Sequence, residues 1–474
     1  MKKTILLAVL FAMVFFTNAQ IYNEEDKEGL RVFLAQPSAI EGETNGERLG
    51  LTPEDMQLWY DNEEWVSKVA GIIWYGDPTL RISRVSLSGD FVHNFKVAGE
   101  LDATKWEKLV FLNCEGNELV GLRVNSKEEN LDIKCGGNKL TYLDISGCTN
   151  LNTLECYTNK LTNLNLSGFS FLWKLICYNN QLTTLDLSGC PNLEDLDCIN
   201  NPLKTLDLSG NTKLKYLRCW NNSLTNLDVS GCTKLMNLQC NDNQLSQLYI
   251  NTNESFFLLD CSNNQLSVLE GIENTGLQGI TCYNNKLKLS SLFYFSERID
   301  NFINKKLGSQ ILLPQSVVIG EEIDFSTEAV LGGVETVFIV KKDGENAVIN
   351  EDYTITNGII TFYTEGNYTI KMTNDVIISH TDYPAEVIAK FECKSSGIFN
   401  NEQEQTLSCY VQNGILYISG LNNGENWSVY NISGVKVAES GISTSFNVND
   451  VCVMLPCKGV YIVQSGKKSV KVVY

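Results

Sequence analysis

"LEDLDCINNPLKTLDLSGNTK" (residues 193–213) carries one cysteine in a pattern of leucine and asparagine. A step of 21 residues in either direction restores the pattern, cysteine included. Nine cysteines follow that spacing without a break: Cys114, Cys135, Cys156, Cys177, Cys198, Cys219, Cys240, Cys261 and Cys282. The unit is L-x-x-L-x-C-x-x-N-x-L-x-x-L-D-L-S-G-x-x-x, with an unbroken asparagine column from Asn117 to Asn285. A short fixed period is the signature of a solenoid. Hydrophobic residues two apart in "LDC" predict a short strand with Leu196 and Cys198 inward and Asp197 outward. The "LDLSG" half repeats that logic on another side of each coil and ends in a Ser-Gly turn. One coil buries too little to be stable, so stacking must create the core.

The cysteines need a physical reading of their own. Cysteine in an inward column is a compact apolar residue, among the most buried types when free. Thiols one coil apart all point the same way, which suits packing but not the torsion of a disulfide. An odd number would also leave one over. Zinc needs ligands converging as a tetrahedron, not a straight file. The sequence therefore predicts a reduced, buried ladder. Cys148, Cys190 and Cys232 form a sparser column, 13 residues after ladder cysteines, with Phe169 and Asn211 in the alternate coils. They lie two coils apart and are expected to pack at the turn after Ser-Gly. The asparagine amide is expected to bond main-chain groups where the strand ends and the chain turns inward.

Binding chemistry belongs to the outward strand positions. The column after the cysteines reads Glu115, Gly136, Tyr157, Tyr178, Ile199, Trp220, Asn241, Ser262 and Tyr283. The column before them includes Glu155, Ile176, Asp197 and Arg218. Aromatic side chains with a polar handle, bordered by charges, suit a protein or glycan site. The candidate ligand-binding set is Tyr157, Tyr178, Ile199, Trp220, Glu155, Asp197 and Arg218. The competing reading is cross-strand packing that merely covers the sheet. Asp144, Asn165, Asp186, Asp207 and Asp228 stack in the "LDLS" half. Their oxygens suit either calcium or hydrogen bonding to turn amides and the serine column, and the second reading asks for less. No metal or other cofactor is called for.

The pattern resembles leucine-rich repeats. Its length, the cysteine in a leucine position and the "LDLS" half resemble the cysteine-ladder kind of internalin-like repeat, over residues 103–290. The resemblance implies a curved right-handed solenoid whose sheet commonly binds other macromolecules, without identifying the ligand. Residues 20–81 read as an N-terminal cap. They contain helical "EGLRVFLAQ" and "TPEDMQLWYDNEEWVSKV", the latter with Thr52 as N-cap and Pro53 in the first turn. Trp59, Trp65 and Trp74 carry a likeness to the caps of leucine-rich repeat proteins, but the segment has no cysteines to close it.

The remaining boundaries follow from composition. Residues 1–19, with Lys2 and Lys3 before an apolar run ending at "TNAQ", read as a cleaved export signal; the run is short for a membrane anchor. Residues 82–290 form the solenoid and 291–313, including "LSSLFYFSERIDNF", its closing segment. Short alternating strands over 314–393 predict an immunoglobulin-like sandwich. A linker over 394–406 leads to a second small sandwich at 407–474. The expected fold class is thus a repeat solenoid with little helix, followed by two small all-β sandwiches. "VYNISGVKV" and "GVYIV…GK…KVV" resemble the C-terminal sorting domain of type IX secretion cargo, through Tyr430, Asn431, Gly434, Gly459, Tyr461 and Lys471. That resemblance implies passage across an outer membrane, with the secretion machinery as partner, then release or surface attachment. Cys452 and Cys457 depart from the usual pattern, and a local disulfide between them is one option. The states of Cys393 and Cys409 stay open.

Charge narrows the partners. The formal net charge is −19, and loss of Lys2 and Lys3 takes it to −21. Such a field repels nucleic acid and anionic lipid, and no basic run opposes it. No later stretch is apolar enough to span a bilayer. The two histidines, His93 and His380, fall in different predicted domains, and no nucleophile elbow, zinc motif or phosphate loop is present. The sequence reads as a non-enzymatic, secreted or surface-attached binding protein, adhesin-like, with a macromolecular ligand on the sheet. A carbohydrate-binding surface protein for nutrient capture and a structural surface-layer component are the alternatives.

Overall fold

The computed structural model describes residues 21–60, 64–76, 79–87, 96–250, 254–269, 276–299 and 305–395, and the strands lying between 408 and 473. The expected export signal at 1–19, His93, Gly434, Gly459 and Cys457 lie outside the described residues, as does the side chain of Cys452. The described chain divides into two units at residues 395 and 396.

In the first unit, a parallel sheet runs the length of the solenoid. Strands Leu151–Glu155, Lys174–Ile176, Asp195–Asp197, Tyr216–Arg218, Asn237–Gln239, Leu258–Asp260 and Gly279–Thr281 pair in sequence order. Register is kept across all of them: Leu154, Leu175, Leu196, Leu217, Leu238, Leu259 and Ile280 are cross-strand neighbours. All seven are buried. Identical period means identical register, so the core is a set of files rather than a mixed interior.

The nine ladder thiols are fully buried and free. Each continues the backbone ladder: the Cys156 N–H donates to the Ile176 carbonyl at 2.8 Å, and the Cys177 N–H to the Asp197 carbonyl at 2.8 Å. Cys148, Phe169, Cys190, Asn211 and Cys232 are all buried at the turn, so the second column is core despite its mixed chemistry. Asn211 fits there because its amide donates to the Cys190 carbonyl at 2.9 Å.

The asparagine column does more than end a strand. Asn159 Nδ2 donates to the Cys156 carbonyl (3.1 Å) and to the Cys135 carbonyl of the preceding coil (3.0 Å). Its Oδ1 accepts from the Leu140 N–H of that coil at 2.9 Å. One buried amide thus joins two coils and satisfies main-chain groups that no ladder reaches. Asn180, Asn201, Asn222, Asn243 and Asn264 repeat these bonds.

A further column was not anticipated. The residue two after each ladder cysteine has positive φ: Gly116, Gly137, Thr158, Asn179, Asn200, Asn221, Asp242, Asn263 and Asn284. Gly, Asn and Asp tolerate this left-handed turn, which aims the following asparagine inward. Among the described residues, the "LDLS" half forms strands only toward the ends, at Ala98–Ala103, Glu118–Val124 and Tyr142–Asp144 and at Asn226–Asp228 with Gln247–Tyr249. Elsewhere its leucines pack without a ladder. Its acidic column bonds the turn: Asp228 Oδ1 accepts from the Ser230 N–H and hydroxyl at 2.8 and 2.6 Å.

The cap contains helices Glu24–Leu34 and Pro53–Leu58, the second started by a Thr52–Asp55 capping box. The helical stretch expected to run on through Val69 ends at Leu58. Among the described residues after it, a 3-10 turn forms at Glu64–Ser67. A short helix, Asn45–Arg48, with its own Thr44–Glu47 capping box, was not foreseen. Hairpin strands Ile72–Tyr75 and Thr79–Ser86 feed the sheet, which continues from Thr79–Ser86 to Phe111–Asn113.

At the other end, helix Leu289–Arg298 covers the last coils, and Lys305–Lys306 adds one more parallel strand beside Gly279–Thr281. The small sandwich seats directly on this end. One sheet contains Ser309–Ile311, Glu386–Lys394, Gly366–Thr373 and Val337–Lys342; the other contains Glu322–Asp324, Ile359–Phe362 and Tyr353–Thr356. Phe362 stacks on Tyr368 at 3.8 Å between them. Glu328, buried in the sandwich, accepts from the Ser290 N–H and hydroxyl at 2.6 and 2.8 Å, supplying the cap that Lys288 does not give the helix.

The second unit holds two small antiparallel sheets around Leu416, Ile418, Trp427, Val429, Tyr461 and Val463. Asn431 sits opposite Tyr461 across paired strands, and Ile462 opposite Lys471.

Candidate binding face of the solenoid

Strand alternation sends the columns on either side of each cysteine outward, and strict register makes them files on one open face. Tyr157 and Tyr178 are neighbours one coil apart, stacked with ring centroids 4.7 Å apart and planes 14° from parallel. The Tyr157 ring lies over Gly136, where an added Cβ would come within 2.5 Å of it. That missing side chain lets the Tyr157 hydroxyl reach back two coils and donate to Glu115 Oε1 at 2.9 Å. Burial, then the bond to Glu115, pushes the Tyr157 phenol well above its ordinary range. Ile199 lies in the same file between Tyr178 and Trp220, and Trp220 is half-buried.

The bordering charges are committed to one another. Glu155 takes Lys174 at 2.9 Å and Lys134 at 3.4 Å. Arg218 bridges Asp197 (3.0 Å) and Asp195 (2.8 Å). Burial raises the Asp197 carboxyl, opposed by the Ile199 N–H and by Arg218. Glu155, Asp197 and Ile199 were expected to be exposed contacts; they point outward yet are buried. Longer neighbours, Lys174 and Arg218 among them, lie across the two carboxylates. These pairs leave little free charge for a ligand.

Sequence reading missed two residues that stand further out than any of the seven. Phe171 is 60% exposed and Trp173 40% exposed, just before strand Lys174–Ile176. Aligned by period, the file of Trp173 reads Val110, Leu131, Asn152, Trp173, Glu194, Lys215, Met236, Phe257 and Gln278, a mixture of apolar and polar residues, so the sequence carried no signal that singled Trp173 out. The five residues Tyr157, Tyr178, Trp220, Phe171 and Trp173 fall within four successive coils, Phe171 and Trp173 just before a sheet strand and the other three just after theirs. Isolated exposed apolar residues are ordinary, but a file of aromatics along a rigid sheet is what interaction surfaces display.

Among the described residues, no group of His, Cys, Asp or Glu is placed to hold a metal ion. Of the residues that carry the sorting-domain resemblance, Tyr430, Asn431, Tyr461 and Lys471 are described and occupy one sheet of the second unit. Tyr461 is buried and Lys471 exposed; Asn431 Oδ1 accepts from the Val435 N–H at 2.9 Å.

The fold is a leucine-rich-repeat solenoid. Its inward leucine files, asparagine bridges and cysteine ladder establish that from the coordinates themselves. Solved structures similar to it include the functional domain of InlJ from Listeria monocytogenes, which has a cysteine ladder. That match has 21% identity and a TM-score of 0.43, covering 62% of this chain and 78% of that one. InlP from Listeria monocytogenes matches at 15% identity and TM-score 0.38, covering 63% and 87%. The internalin-like protein lmo2027 of Listeria monocytogenes matches at 17% and 0.36, covering 63% and 86%. No protein-family model and no curated protein matches the chain.

Proposed function

We propose that this chain is an exported, non-enzymatic binding protein, adhesin-like, that engages a protein ligand through the aromatic file of its solenoid sheet. The observation that carries the reading is the stacked Tyr157–Tyr178 pair, with half-buried Trp220 further along the same file. The Tyr157 ring is held by its stack on Tyr178, by its seat over Gly136 and by the bond to Glu115, so docking there would order few side chains and lose little entropy. Aromatic anchors of this kind are typical hot spots, each costing about 2 kcal/mol or more on truncation. Substituting Tyr157, Tyr178 and Trp220 together by alanine should lower affinity for a captured host extracellular protein by at least about 100-fold. Circular dichroism should stay unchanged. Undiminished affinity in a folded variant refutes the assignment, and a response to glycan arrays alone transfers the face to the carbohydrate alternative.

The second unit is read as the sorting domain of type IX cargo. Support comes from the resemblance through Tyr430, Asn431, Gly434, Gly459, Tyr461 and Lys471, and from the strand register that sets Asn431 beside Tyr461. Deleting residues 407–474 should leave the protein in the periplasm when cells are fractionated; continued surface delivery would remove this reading.

A further inference from the structure

The far end of the same sheet carries a pocket unrelated to the aromatic file. Its floor is made by the outward residues of the last strands. The file Asn237, Leu258, Gly279 loses its side chain at Gly279, which opens a depression. Beside it run Gln239, Asp260, Thr281 and Lys306. The sandwich supplies the wall. The loop between Gly366–Thr373 and Glu386–Lys394 reaches the solenoid, where the His380 N–H donates to the Lys305 carbonyl at 2.7 Å. Tyr383 of that loop stacks on Tyr283 at 4.8 Å. Gly308 makes this approach feasible: its φ is +58°, and a Cβ there would lie 2.2 Å from Tyr283 Cβ. The result is a cavity of about 410 Å³, within the roughly 300–1,000 Å³ of small-molecule sites.

The lining has a specific deficit. Asn237 Oδ1 is buried and has no hydrogen-bond partner among the described residues, and a buried acceptor left in that state calls for a donor. Asp260 and Gln239 offer more acceptors nearby, while Lys306, Thr281 and the Gln239 amide offer donors. Burial pushes the Asp260 carboxyl above its ordinary value, against the bonds from Ser262 and the charge of Lys306. A peptide strand finds no place, because Leu258–Asp260 and Gly279–Thr281 are paired on both sides. A polyhydroxylated ring answers this lining: vicinal hydroxyls donate to carboxylate and amide oxygens and accept from lysine. The flat His380 imidazole provides a surface for its C–H face.

We propose that this pocket, built from Asn237, Gln239, Asp260, Thr281, Lys306 and His380, binds a single sugar residue. It is a site separate from the aromatic file and stands or falls independently of the protein-binding reading. The full chain would be titrated with the methyl glycosides of glucose, galactose, mannose and N-acetylglucosamine, using saturation-transfer NMR and calorimetry. At least one should bind saturably, and D260N and H380A should each weaken it by about tenfold or more, near 1.4 kcal/mol. Asn at 260 retains the acceptor for Ser262, and His380 lies outside the coil ladders, so neither variant threatens the fold. Failure of all four glycosides to bind overturns the proposal, as does binding that survives both substitutions.

Discussion

Thr158 is the exception in the left-handed column. Its φ of +50° places a β-branched side chain where seven of its eight counterparts are Asn or Gly; among ordinary L-residues such a conformation costs roughly 1–2 kcal/mol. Its hydroxyl partly compensates by accepting from Asn179 Nδ2 at 3.3 Å, at the end of an exposed amide file. Asn200 continues that file by donating to Asn179 at 2.5 Å. Thr158→Asn should keep the file and relieve the strain, raising stability by about 0.5–1 kcal/mol in urea titrations. A variant no more stable than the parent would show that the turn imposes no strain at this position.

At the scale of an element, the N-terminal cap is fastened by one buried ion pair. Asp26, fully buried in helix Glu24–Leu34, accepts from Arg81 Nε and Nη2 at 2.9 and 2.8 Å and from the Ile82 N–H at 2.7 Å. The contact ties the helix to strand Thr79–Ser86, where the sheet begins. Removing one member of such a pair leaves a partly buried guanidinium and an orphaned N–H. Asp26→Ala is therefore expected to destabilise the first unit by about 3 kcal/mol. Thermal and denaturant unfolding measure this; a loss under about 1 kcal/mol would mean that the cap is held mainly by its apolar face.

Across the whole molecule, the ladder makes stability depend on thiol protonation. Burial pushes Cys156 and Cys219 up to about 12 and Cys148, Cys190 and Cys232 up to about 11, with the other ladder thiols also raised. A raised folded value means that the contribution is complete below the unfolded value, about 8.5, and is lost as pH climbs toward the folded one. Each thiol then removes about 1.4 kcal/mol per pH unit in that window. Melting temperature should thus fall steeply between pH 8.5 and 11, with ladder thiols unreactive toward Ellman's reagent until the protein unfolds. A flat profile to pH 10, or rapid reaction in the native state, would contradict a sealed ladder.

The sequence alone determined the solenoid, because a 21-residue period converts identity of residue into identity of place. Leu, Cys and Asn recur at fixed spacing, and so their burial and register could be read before any coordinates. The aromatic file was legible for the same reason. What escaped was whatever breaks the period or joins distant parts. Trp173 shares its file with Leu131, Met236 and Phe257, so the period did not mark it as exposed, and the burial of Glu155 and Asp197 depends on how far Lys174 and Arg218 reach across them. The pocket at Asp260 exists only because a sandwich loop from beyond residue 370 folds back onto the last coils. No periodicity encodes that return; long-range packing decided it.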